Sequence, residues 1–183
     1  MFNRRILSIL GFVVLGGILG LGVAGISASM IESTSTNEFC VSCHEMTWPQ
    51  ETYQNQPHFK TASGVRPGCG DCHIPHHPWY KMVWAKATQG TRDIWLSMRG
   101  KLDTVEKYRE HRAEMAKSVW ARMKENDSQT CRSCHLIEAM DLEEQKPAAK
   151  MMHGVAREKG TTCIECHKGI GHGEKHTDAA ALN

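Results

Sequence analysis

The chain has 183 residues, 40% hydrophobic and 7% aromatic, with eight cysteines and eleven histidines. Its 22 basic and 20 acidic side chains nearly cancel, and they balance once Arg4 and Arg5 are set aside. No basic surplus is left to neutralise a phosphate backbone, which excludes nucleic acid as a partner.

Arg4 and Arg5 precede an uncharged stretch from Ile6 to Ile31 that ends at Glu32. As a helix this stretch reaches about 39 Å, more than the roughly 30 Å of a bilayer's hydrocarbon core. A cleaved signal peptide has an apolar region of only about 7 to 15 residues, so an uncleaved anchor over 6–31 is the expectation. The basic pair keeps residues 1–5 in the cytoplasm and sends the remainder across an inner membrane into the periplasm. Gly16, Gly20 and Ala24 would allow a second anchor helix to approach, so a homodimer is possible.

After the anchor, the cysteines fall into four C-x-x-C-H runs: Cys40-Cys43-His44, Cys69-Cys72-His73, Cys131-Cys134-His135 and Cys163-Cys166-His167. Roughly 0.02 such runs are expected by chance from this composition, so the motif is read as covalent haem c attachment. Both thiols bind the porphyrin and the adjacent histidine binds iron. A zinc site, a redox C-x-x-C pair or disulfides would not require a histidine after the second cysteine four times over. Four macrocycles in so short a domain must pack on each other and replace much of the apolar core.

The histidines also mark a repeat. Residues 32–100 hold two motifs separated by His58 and followed by His76, and residues 126–176 hold two separated by His153 and followed by His172. His58, His153 and His172 are therefore candidate distal ligands, beside the proximal His73, His135 and His167. By repeat symmetry His76 matches His172 and is a candidate for a fourth bis-histidine site, and His77 is ambiguous. His111 and His176 read as solvated, and residues 177–183 as a tail.

Between the halves, Trp79 to Leu96 is predicted helical, with tryptophans suited to the headgroup level. A second helix is predicted from Lys101 to Glu125. Its face of Val105, Tyr108, Arg112, Met115, Val119 and Met123 packs inward, and Asn126-Asp127-Ser128 stops it. The expected fold is mainly α: one transmembrane helix and a tetrahaem domain over 32–176, with long loops and little or no sheet.

The first motif, CVSCHEM, alone carries a methionine two residues after its histidine. Taken with the ASGVRPGCGDCHIPH block, NDSQTCRSCH and GTTCIECHKGIGH, it resembles the NapC/NirT family of membrane-anchored tetrahaem cytochromes over nearly the whole chain. The resemblance implies oxidation of menaquinol or ubiquinol at the membrane face, with electrons handed to periplasmic nitrate, nitrite or N-oxide reductases. In the related small subunit of cytochrome c nitrite reductase, the methionine of C-x-x-C-H-x-M is the first haem's axial ligand. Carried over, Met46 takes that role and His44 is displaced. The same likeness gives Asp93 and Lys86, in KATQGTRD, as the quinol-site pair. A thioether raises the haem potential, and a carboxylate near an open iron face can take a quinol proton. That subunit lacks a histidine matching His153 and borrows a ligand from its catalytic partner. His153 should let this chain complete its own sites, which disfavours the alternative of a permanently bound anchor subunit. A small terminal reductase is the other alternative.

Overall fold

The computed structural model describes residues 3–173. Helix α1 runs Arg4–Ser33, begins on an Asn3 cap and is exposed along its whole length except at Ile31. Its 30 residues would extend about 45 Å. Among the described residues it is the one helix long and apolar enough to cross a membrane. The charged pair sits in its first turn, so the helix is longer at both ends than the uncharged run.

Short helices follow: α2 at Asn37–Cys40, a 3-10 turn at His44–Met46, α3 at Thr47–Gln54 and α4 at Cys69–His73. The two long helices are α5 at Trp79–Met98 and α6 at Val105–Glu125. Beyond them lie α7 at Gln129–Arg132, a 3-10 turn at Ile137–Ala139, α8 at Pro147–Lys159 and α9 at Cys163–Cys166. No strand occurs among the described residues. The expected mainly-α fold is the one found, and α6 stops at Glu125 with Asn126 as its cap.

Among the described residues only Tyr53, Ala85 and Ile164 are buried apolar side chains. A chain this long ordinarily buries a continuous apolar cluster. Here the helices instead present half-buried faces, such as Tyr108, Met115, Val119 and Met123 of α6.

Each half of the chain ties its two motifs together in the same way. Asn37, three residues before Cys40, accepts from the Cys69 amide at 2.8 Å through its side chain. Ser128, three residues before Cys131, accepts from the Ile164 amide at 3.2 Å. The second motif helix of each half is also capped by its own acid, Asp71 on the Gly68 amide and Glu165 on the Thr162 amide.

Ser128 is fully buried and left-handed at φ 51°, and its Oγ donates to the Met123 carbonyl. Ser128→Val forces a β-branched residue into that conformation and strands the Ile164 amide. The expected loss is about 2–4 kcal/mol, read as a lower unfolding midpoint of the haem-loaded protein. Ser128→Gly relieves the backbone and should lose less.

Candidate haem sites

The motif cysteines follow one another in space as they do in sequence. The Asn37 tie brings the first two motifs together, and the neighbouring Cys69 thiol holds Cys40 down to about 7 against the opposing effect of burial, with Lys86 adding to the shift. Burial pushes Cys72 up to about 11, and Cys131 and Cys134 of the third motif add to the shift. Burial likewise raises Cys131, with Cys163 of the fourth motif contributing. The motifs thus form a row, first to fourth. None of the eight cysteines forms a disulfide, and no cluster of three or more His, Cys, Asp or Glu among the described residues could hold a bare metal ion.

Three of the four motif histidines face a second histidine. His135 lies 6.1 Å from His58 between ring centres, His73 lies 6.0 Å from His172, and His167 lies 5.9 Å from His153. Two metal–imidazole bonds of about 2.0–2.1 Å, with roughly 1.1 Å from each ring nitrogen to its centre, separate two rings across one metal by about 6 Å. All three pairs fit that span. Two pairs join opposite halves of the chain, and only His153 and His167 belong to the same half.

The distal rings are oriented by protein partners on their other nitrogen, as metal-ligating histidines usually are. The Nδ1 of His172 sits 3.0 Å from the Pro49 carbonyl, and that of His153 sits 2.6 Å from Gln145 Oε1. Each contact leaves Nε2 for a metal, with the Nδ1 proton on the protein side. Arg112 donates to the His172 carbonyl, and Gln56 donates to that of Gly173 at 2.5 Å. The loop carrying His58 is held by buried Tyr53, whose hydroxyl donates to the Pro67 carbonyl and reaches the His58 carbonyl at 3.3 Å. Burial pushes His73 down to about 4, with His172 and Arg122 adding to the effect, and also lowers His58 and His172. Neutral rings keep the lone pair that a metal needs.

His44 is held differently. Its Nε2 lies 3.2 Å from the Asp103 carbonyl, its Nδ1 lies 3.3 Å from Glu45, and its ring meets Trp48 edge-on at 5.9 Å. Both nitrogens have protein partners, and no second histidine faces the ring among the described residues. Met46 is 38% exposed in the turn that follows. Of the remaining histidines, His76 lies 3.6 Å from Asp71, His77 is exposed, and His111 bonds the Lys107 carbonyl of its own helix. His176 lies outside the described residues.

Low-temperature EPR of the haem-loaded protein should therefore show three low-spin bis-histidine signals and one high-spin signal. His153→Ala should convert one of the three to high-spin. Four low-spin signals in the unmodified protein would instead return His44 or His76 to the ligand set.

Helix α5 runs alongside the first motif. Lys86 donates to the Thr34 carbonyl at 2.9 Å, to Ser35 Oγ at 2.9 Å and to the Ile31 carbonyl at 3.4 Å, so it ties α5 to the last turn of α1. Three turns on, Ser97 donates to Glu45 at 2.5 Å, inside the first motif. Lys86, Asp93 and Ser97 fall within about 40° of one another around the helix, at 100° per residue. Asp93 therefore lies between two points where α5 touches the first motif and its approach. Asp93 is exposed to solvent, and the partial desolvation its carboxyl meets raises its pKa against the pull of Arg92 and Arg122. Glu45 shifts the other way, chiefly through the Ser97 hydrogen bond. Burial lowers Lys86.

The opposite face of α5 is apolar and open. Trp84 is 72% exposed, Met98 71% and Ile94 61%, with Tyr80 and Trp95 on the same side. A surface helix normally turns its apolar side inward. This one buries Ala85 but leaves its largest apolar side chains turned to its surroundings.

Comparison with known proteins gives a consistent picture. The model of the NapC/NirT cytochrome c family, N-terminal region, matches residues 3–177. Cytochrome c-type protein TorY of Haemophilus influenzae is 48% identical over 157 residues, covering 85% of this chain and 42% of TorY. Cytochrome c-type protein NapC of Escherichia coli is 45% identical over 168 residues, 91% of this chain and 80% of NapC. Denitrification system component NirT of Stutzerimonas stutzeri is 39% identical over 165 residues, covering 88% and 80%. The chain thus spans less than half the length of TorY and most of NapC and NirT. No solved structure matches it.

Proposed function

Because the chain belongs to the NapC/NirT cytochrome c family, an electron-transport family of c-type cytochromes, we propose that it oxidises a membrane quinol and passes the electrons to a periplasmic reductase. Four covalent haems, when bound, would supply one-electron redox centres in a row. Cys40 and Cys43, Cys69 and Cys72, Cys131 and Cys134, and Cys163 and Cys166 attach them. His73 with His172, His135 with His58, and His167 with His153 would hold three irons, and Met46 would hold the first. Residues 6–31 anchor the chain in the inner membrane, residues 1–5 stay in the cytoplasm, and residues 32–176 stand in the periplasm.

The observation that carries this reading is the tie between α1, α5 and the first motif. Lys86 fastens the membrane end of α5 to the last turn of the anchor, so the first motif and Asp93 sit beside the bilayer surface. The outward apolar face of α5 lies in the headgroup layer, where tryptophan and tyrosine are favoured. Quinol then reaches Asp93 by passing from the lipid around α5 to the side that meets the first motif.

Quinol oxidation releases two electrons and two protons. The Asp93 carboxylate takes a hydroxyl proton, for which its raised pKa suits it better than Glu45, whose charge is already committed to Ser97. The Lys86 ammonium spends its three N–H donors on Ile31 in the last turn of α1 and on Thr34 and Ser35 just beyond it. The longest of them, to Ile31, is the one a quinol oxygen replaces, which orients the quinol ring towards Asp93.

Purified, membrane-reconstituted protein should be reduced by a menaquinol or ubiquinol analogue with no reductase present, read from the haem visible bands. A chain reduced only when a partner enzyme is added would be an anchor subunit and not a quinol dehydrogenase.

A further inference from the structure

Away from α5, a cavity of about 380 Å³ opens between α6 and α9. Lys117, Trp120 and Lys124 line it from one stripe of α6, and Lys168 lines it from just beyond the fourth motif. Lys168 Nζ stands 5.3 Å over the Trp120 ring, a cation–π contact that fixes its position. Lys124 pairs with Glu165, inside the fourth motif, at 2.6 Å. Lys117 has no ionic partner among the described residues. The floor is Ile164, one of the few buried apolar side chains. Three cations, one of them paired with the lining carboxylate Glu165, and an aromatic ring thus converge on the surface of the last motif in the row, leaving a positive excess there.

We propose that this basic hollow is the docking surface for an acidic protein partner, the electron acceptor, which places Asp and Glu side chains against Lys117, Lys124 and Lys168. The occupant is an acidic protein and not a membrane, because the exposed tryptophans suited to lipid are on α5, beside the anchor, whereas the hollow lies against the fourth motif. Charge complementarity of this kind steers encounter and sets orientation while keeping the complex short-lived. Trp120 supplies the central aromatic contact typical of small interfaces. The proposal rests on the reading of the chain as an electron donor, and it assigns the exit to the end of the motif row opposite Asp93.

The test uses the full-length, haem-loaded protein in nanodiscs of uncharged net lipid, with a short poly-glutamate peptide as probe. Lysine acetylation footprinting by mass spectrometry should show Lys117, Lys124 and Lys168 protected by the peptide, and Lys81, Lys101 and Lys159 unprotected. Lys117→Gln/Lys124→Gln/Lys168→Gln should weaken peptide binding about 10-fold or more at low salt, and Lys→Arg at the same three positions should keep it. Equal weakening by Lys81→Gln/Lys101→Gln/Lys159→Gln would show general charge attraction and overturn the proposal. Protection by phosphatidylglycerol vesicles but not by poly-glutamate would make the hollow a lipid contact and overturn it too. Site-specific binding by a protein that quinol does not reduce would uphold the surface and remove the quinol reading. Quinol reduction with no site-specific binding would do the reverse.

Discussion

Asp93→Asn is expected to slow quinol-driven haem reduction by about 10²-fold or more, the usual scale for a lost general base. The substitution keeps size and polarity, so the packing around α5 is undisturbed. Reduction by dithionite, which needs no proton acceptor, should proceed at the unmodified rate. The pH profile gives a second reading. A carboxyl raised by partial desolvation acts as a base only above its raised pKa, so the rate should fall as pH drops through that value. In Asp93→Asn this acid limb should vanish. Glu45→Gln tests the neighbouring carboxylate, and its effect should be smaller because its pKa is shifted down. Unchanged quinol kinetics in Asp93→Asn would make Asp93 a surface charge and move the proton acceptor to Glu45.

The polypeptide should not fold without its prosthetic groups. With Tyr53, Ala85 and Ile164 as the buried apolar residues among those described, the helices have almost nothing of their own to pack on. Replacing all eight cysteines by alanine, so that no haem is retained, should leave α1 helical in detergent and melt most of the remaining helix. Far-UV circular dichroism measures that loss, and rapid proteolysis beyond residue 33 confirms it. Metal-dependent small domains behave alike, because binding and folding are one equilibrium. A protease-resistant, helical variant would mean that α5 and α6 form a self-sufficient scaffold.

The features legible in the sequence are those with a local signature. The C-x-x-C-H runs, the apolar anchor and the stop at Asn126 each depend on neighbours within a few residues. The histidine pairing does not. Repeat symmetry sets His58 beside His153, yet His153 faces the following motif of its own half while His58 faces the opposite half. His172 likewise reaches back to His73 and not to a motif near it in sequence. Such contacts are set by how the halves dock, which periodicity cannot report. The Asn37 and Ser128 ties were within reach, since both stand three residues before the first cysteine of a pair. Gln145 behind His153 and Ser97 behind Glu45 carry no local mark at all.

The facing of His172 and His73 bears on how the molecule is assembled. A chain threaded through a membrane from its N-terminus exposes Cys69, Cys72 and His73 long before His172 emerges. The second site then waits, half-built, until His172 has arrived. A truncation just before His172 should consequently injure the second site and spare the fourth, whose own pair, His153 and His167, has already passed. Damage at a late position would thus be felt at an early site, because the two histidines that face one another are 99 residues apart in sequence.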